Sequence, residues 1–578
     1  MGTQIHYELF KRVGAKGGWT MHEVLSSRGG AIKMATDLMA GEKATGVKVV
    51  KETYNDDTGD YLSLKIFEEG HNQVKMDVKA EDAPNALPCF KPDDLYSYHA
   101  RSTMARLLTD FLSRCKITVT ELLHRADMLE KLEATGTLYQ HAVQKVAVAQ
   151  AAASGQPVQH IVKSLNELTE KAIQKVYRDD RAGLFPEPSA AEFAPLAVTL
   201  AETADGAYVF NGAVARYLKS ATDWDEKIFR LIALMQQAPA EEKPRLLLLT
   251  AIDAVIAEIL GGSAALRELM GPSENLAQSL AALVELYLGK ATGGGTATGN
   301  QGLAALTASF ARDELPEART AVAERIIAEF KANRRLCPAS LEDELRALRR
   351  LANRVVRGIG KYLGHDDLIA AFTLRSKRLV TQETLAPYID GAAPDEKFER
   401  LMFVEENVIG IENKRALADF VLPVLTSAPF DSHFHNPKLP LLARLQKLAQ
   451  LQARVLRSGF IDVTRTEVVE RLDALAVEVE ARGKLFESVE GRTPNHVEKA
   501  QTLLRLATTG IFTEGKLAQA ARARILSYLG KPGFLAGYVA ATKMDGEAPS
   551  AEKAMAELVE LLGKIGITPE TGLKSIAA

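Results

Sequence analysis

The chain has 578 residues, 47% of them apolar and 25% charged, with a formal net charge of −3. That length is too great for one hydrophobic core and suggests roughly three or four packed units. The near-neutral balance argues against a general nucleic-acid or membrane-surface binder, and the 6% aromatic content beside abundant Ala and Leu favours close-packed helices over sheets.

Cys89, Cys115 and Cys337 are odd in number, far apart and without CxxC spacing. They argue against a disulfide framework or zinc site, and for a reducing cytoplasm. The start MGTQIHYELF lacks the basic and apolar regions of a signal peptide. His6 stands where a myristoylation signal needs Ser or Thr. No apolar run approaches the roughly 18–20 residues that span a bilayer. Together these place the chain in the cytoplasm with no membrane span.

Residues 1–70 read as ββαββ. Ile5–Phe10 and Trp19–Leu25 alternate about Gly17-Gly18, and a short helix follows with Ala31, Ile32, Ala35, Leu38 and Met39 on one face. Val47–Tyr54 and Tyr61–Phe67 form a second strand pair around 55–60. One sheet with one helix on a face is about the least that folds alone. It suits a recognition module or a cap on the rest of the chain. Residues 71–93 read as a linker, with Pro84, Pro88 and Pro92 ahead of Asp93-Asp94.

From 94 the pattern is helical. Leu95–Arg114 reads as one helix. Thr118-Val119-Thr120-Glu121 reads as a capping box opening a long amphipathic helix towards Ser154-Gly155, and Pro157 starts another that ends near Asp180. This segment, 94–182, closes at Pro186 and Pro188. Two helical-repeat regions follow, 190–288 and 303–578, separated by the Gly/Thr-rich loop 289–302, GKATGGGTATGNQG. That loop lacks the GxxxxGK[ST] order and follows a helix rather than a strand, so it reads as a linker and not a phosphate cradle.

The repeat signal lies near the end. Shifted by 102 positions, 396–424 matches 498–526 at Glu, Lys, Leu, Ile, Glu, Lys, Ala and Ala, eight identities in twenty-nine where average composition gives roughly two. The opening recurs at Glu226-Lys227, and the hook Tyr528-Leu529-Gly530 through Phe534 and Tyr538 is echoed by Tyr362-Leu363-Gly364 through Leu368 and Phe372. The reading predicts two similar hairpins, with Leu401 and Leu503, and Ile409 and Ile511, in equivalent buried places, and with Gln501 exposed and Glu498-Lys499 in water at a helix start. The shared positions are apolar or helix-favouring, as stacking requires. The fold class is therefore mainly α: an irregular body of stacked helical hairpins with a small N-terminal α+β domain.

Two stretches carry candidate chemistry. His433 and His435, with Asp431 nearby, would share one side of an extended segment and offer metal ligands. No further ligand is visible between Pro429 and Pro437, which mark an ordinary loop. Between Arg334 and Arg378 there are eleven basic residues against five acidic. Arg346, Arg349, Arg350, Arg354 and Arg357 fall along one helical stripe that suits an acidic partner or a nucleic-acid backbone. The plain alternative is a solvated helix face. No aromatic residues interleave to stack bases. No nucleophile motif appears, so no catalytic residue is assigned and no cofactor is expected. The expected function is a cytoplasmic scaffold or adaptor that binds protein partners through a helical surface. An enzyme or small-ligand sensor with a pocket between helical layers is the alternative, and anion or nucleic-acid binding along the basic helix a third.

Overall fold

A computed structural model describes residues 5–13, 19–41, 43–54, 61–70, 86–290, 300–541 and 550–568. The Gly17-Gly18 and 55–60 turns, most of the 71–93 linker and the centre of the 289–302 loop lie outside these residues. The described chain is mainly helical, with one small sheet at its start.

That sheet follows from alternation. Strands β1 (Ile5–Arg12), β2 (Thr20–Leu25), β3 (Gly46–Tyr54) and β4 (Tyr61–Gly70) pair antiparallel in the order β2-β1-β3-β4. Leu9 lies opposite Val49. One face buries Leu9, Val47 and Val49 under Ala31, Ala35 and Leu38 of helix α1 (Arg28–Ala40). Small Ala side chains let the helix sit close to the sheet. Ser27 opens the helix, its hydroxyl accepting from the Gly30 amide. Across the pleat, Lys48 reaches over the rings of Phe10 and Trp19.

The next stretch breaks more often than its periodicity predicts. The single helix expected over Leu95–Arg114 is a 3-10 turn at Pro92–Tyr96 followed by α2 (Tyr98–Leu107) and α3 (Thr109–Cys115). The Thr118/Glu121 capping box forms, but it opens only α4 (Val119–His124), followed by α5 (Ala126–Ala134) and α6 (Leu138–Ser154). Extended Arg125 and left-handed Gly136, at φ 71°, stop propagation. The long amphipathic helix of this segment is instead α7 (Val158–Arg181), started at Pro157 as expected.

The chain forms two compact units, Met1–Pro272 with Ala282–Arg325, and Ser273–Ala281 with Ile326–Ala578. The division is not at 289–302. The helix Gln301–Ala311 stays with the first unit because Asp225 accepts from the Gly302 and Leu303 amides. A Cβ at Gly302 would meet the Asp225 carbonyl at 2.1 Å, so only glycine permits this approach.

Asp225 illustrates a device used repeatedly: a side chain within one helix satisfies the orphan ends of another. Asp253 accepts from the Glu317 and Ala318 amides at the start of Pro316–Lys331. Asp473 accepts from Thr513, Lys516 and Leu517 at the start of Lys516–Leu529. Arg375 serves a carboxyl end, donating to the carbonyls of Glu329, Phe330, Ala332 and Arg334. Each places a charge where the helix dipole and unpaired backbone groups favour it.

The hairpins lie in the second unit as Pro394–Asn407 with Ile411–Leu425, and His496–Thr508 with Lys516–Leu529. The third opening starts the helix Trp224–Met235 in the first unit. All three helices begin two residues ahead of their Glu-Lys pair. In all three, the second, fifth and sixth positions after that Glu are buried: Ile228, Leu231 and Ile232; Phe398, Leu401 and Met402; Ala500, Leu503 and Leu504. Ile511 is buried but Ile409 only half so, and Gln501 is half-buried rather than exposed. The hook echo is partial. Tyr528-Leu529 ends a helix whereas Tyr362-Leu363 precedes one, although Leu368, Phe372, Phe534 and Tyr538 are all buried.

Candidate functional site

The first unit holds an apolar cavity of about 140 Å3 walled by α2, α4, α5, α6 and α7. Along α6 the wall runs from Tyr139 through Ala142 and Val146 to Gln150, and along α7 from Leu165 to Val176. Eleven residue steps of helix amount to about 16 Å, which is the length of wall along this pair. Among the described residues, no charged side chain lines it. Among the described lining residues only Leu87, 55% exposed, lies at the surface, and it marks the end that meets water. The Gln150 amide donates to the Leu87 carbonyl and holds the strand of chain over that end. That end is open, so the cavity is a pocket rather than a sealed void. Its volume is comparable to that of engineered cavities that take up small apolar molecules.

Tyr96, part of the wall, also faces a buried aromatic cluster. The His124 ring lies 5.3 Å from Tyr96, 5.1 Å from Tyr208 and 5.9 Å from Phe185. His124 Nδ1 donates to the Thr120 carbonyl at 2.7 Å, so Nε2 carries a lone pair with no donor among the described residues. Burial pushes its pKa down to about 4, reinforced by the positive charges of Lys175 and Arg101. The Tyr208 hydroxyl donates to Asp179, and Lys175 stands 3.2 Å over its ring. Burial, with Tyr96 and Asp179 alongside, raises the Tyr208 pKa. This neutral imidazole can accept a hydrogen bond but, being wholly buried, meets no solvent.

The basic stripe lies in the second unit. The helix Leu341–Val355 is opened by Ser340, which accepts from the Asp343 amide. It buries Leu345, Leu348, Leu351 and Val355 on one face. Arg346, Arg349, Arg350 and Arg354 are exposed on the other, and Arg357 is exposed just beyond its end. Arg346 is committed locally, to Glu342 at 2.8 Å and over the Phe403 ring. Arg349 and Arg357 have no acidic partner among the described residues.

The histidine pair is not built as expected. Its segment is the helix Ala428–His435, started by Pro429 with Ser427 as cap, not an extended loop. Proline near a helix start is favourable, and two residues apart on a helix means about 200° of rotation. His433 Nε2 lies 3.4 Å from Asp395, while His435 Nε2 lies 3.7 Å from Glu478. Asp431 pairs with Arg471. The three are therefore dispersed. Among the described residues, no group of three or more His, Cys, Asp or Glu could hold a metal ion.

Sequence reasoning missed the cavity because its wall comes from five helices spread over ninety residues. The signal it left is small or polar residues, Ala100, Ala142 and Ala172 with Thr103 and Thr169, at inward positions where a packed core takes Leu. Among the described residues, no single helix is long and apolar enough to cross a membrane. Comparison of the chain with family models, curated proteins and solved structures gave no match.

Proposed function

We propose that the chain is a non-catalytic cytoplasmic scaffold or adaptor that binds an acidic protein surface through the Arg349, Arg350 and Arg357 face. The observation that carries this reading is the asymmetry of the helix Leu341–Val355. Its apolar side is spent on the core, and its arginine side is exposed and only partly compensated by acidic residues. In a chain of net charge −3, a local cationic face of this kind gives orientation and association rate to a negative partner. The recurring buried positions of the hairpins support the scaffold part of the reading. Three cysteines, all free, support a reducing compartment.

The experiment is a paired affinity capture with the intact chain and the triple variant Arg349→Glu/Arg350→Glu/Arg357→Glu. Proteins retained by the first and lost by the second, with retention weakening as salt rises, would support the proposal. Identical captures with both would sink it. Nuclease-sensitive capture would replace the protein partner with a nucleic acid. The cavity favours a second reading, a small-ligand binder with its pocket between helical layers.

A further inference from the structure

We propose that the cavity between α2 and the α6–α7 pair takes up the end of a single hydrocarbon chain, that of a fatty acid or lipid whose remainder stays outside. This goes beyond the scaffold reading and does not depend on it. Three features converge. The wall is apolar, with no charged side chain among its described residues. Its wall follows Tyr139 to Gln150 along α6 for about 16 Å, a length that suits the end of a flexible chain. The only exposed residue among the described lining, Leu87, lies at one end, beside Gln150 and its bond to the Leu87 carbonyl. A chain entering there leaves its polar head in water, so the absence of a buried counter-charge is what such a ligand requires. Inside, Thr103 and Tyr139 lie on the wall. The Tyr139 hydroxyl is engaged by Thr169, so it presents no unsatisfied group to the hydrocarbon.

The test uses the full chain, stripped of lipid by refolding or organic extraction, and cis-parinaric acid as fluorescent probe. The expected result is a saturable fluorescence rise at one probe per chain, reversed by palmitate. Ala142→Phe, which projects a ring into the cavity from a half-buried wall position, should weaken binding at least tenfold while leaving the helical circular dichroism intact. If that variant fails to fold, Val146→Trp on the same wall replaces it. Ala149→Trp on α6, outside the wall, is the control and should bind as the parent does. Displacement by free palmitate assigns a fatty acid, whereas displacement only by phosphatidylcholine vesicles assigns a membrane lipid; either sustains the chain-binding site. No saturable rise, or equal binding by the parent and the folded wall variants, would overturn it. Because the Arg349→Glu/Arg350→Glu/Arg357→Glu variant should bind the probe normally, failure here and failure of the scaffold reading are distinguishable.

Discussion

Lys227 Nζ lies 2.7 Å from Glu121 Oε2 across 106 positions of sequence, with the lysine side chain 2% and the glutamate 0% exposed. The ammonium also donates to the second carboxylate oxygen at 2.8 Å and to the Lys116 carbonyl at 2.6 Å. Its three protons are thereby all used. Glu121 in turn accepts from the Thr118 amide, completing the box that starts α4. Burial lowers the Lys227 pKa and Glu121 opposes that shift. One ion pair thus ties the start of α4 to the helix Trp224–Met235.

Removing one partner should cost far more than removing both. Lys227→Met leaves the buried Glu121 carboxylate with Arg125, 3.6 Å away, as its remaining cation and should destabilise the first unit by about 3 kcal/mol. Adding Glu121→Gln, which keeps the acceptor for Thr118, should restore part of that loss. Trp224 is a built-in reporter, since Lys227 lies 5.3 Å from its ring. In a Trp19→Phe background, urea unfolding followed by Trp224 fluorescence reads the effect. A double variant no more stable than Lys227→Met would show that the pair is not the coupling element.

Arg375 should be as costly to lose. Its four bonds to the carbonyls around the end of Pro316–Lys331 need the planar guanidinium fork. Its Nη1 is 3.7 Å from buried Glu344. Arg375→Met should cost about 3–5 kcal/mol, and Arg375→Lys should recover little of it because an ammonium cannot reach four divergent acceptors. Hydrogen exchange should quicken at 326–334 in both variants. Unchanged protection there would refute the capping role.

These two residues also mark where sequence reading stops. Helical periodicity, the Thr118/Glu121 box and the ββαββ order were legible because each is a local pattern of a few residues. Lys227 reads only as part of a recurring Glu-Lys helix opening, because its partner is over a hundred positions away. Arg375 looked like one more cation in a basic stretch for the same reason. The extended reading of His433 and His435 fails on a local matter: Pro429, which reads as a loop marker, sits at a helix start. The cavity was invisible because a missing volume has no sequence of its own.

His124 gives the first unit an acid sensitivity with a defined sign. Its folded pKa of about 4 lies below the usual value of about 6.5. Between these values the unfolded chain binds a proton that the folded chain refuses. Stability is therefore full above pH 6.5 and falls as pH drops towards 4, by about 3 kcal/mol over that window. Subtracting the profile of His124→Phe, which keeps an aromatic ring among Tyr96, Tyr208 and Phe185, isolates this histidine from titrating carboxylates. The difference in urea midpoint should shrink as pH falls from 6.5 to 4. A pH-independent difference would mean that the imidazole titrates normally.

The three related helices give the sharpest test of the repeat reading. Leu231, Leu401 and Leu503 stand at the fifth position after their Glu, and each is fully buried. The positions three before and one after each leucine are buried as well, so the leucine is surrounded by its own helix face and by the neighbours that face packs against. Truncation to Ala should cost about 2–5 kcal/mol at each site, set by the methyl groups lost and the hole left behind. Arg505→Ala, on the exposed side of the same helix as Leu503, should change stability by no more than about 0.5 kcal/mol. The Leu401 and Leu503 losses should appear in the unfolding transition of the second unit, and the Leu231 loss in that of the first, as read by calorimetry with Trp224 fluorescence assigning the first. A near-silent Leu401→Ala or Leu231→Ala would show that the shared Glu-Lys opening is chance helical composition rather than a structural repeat.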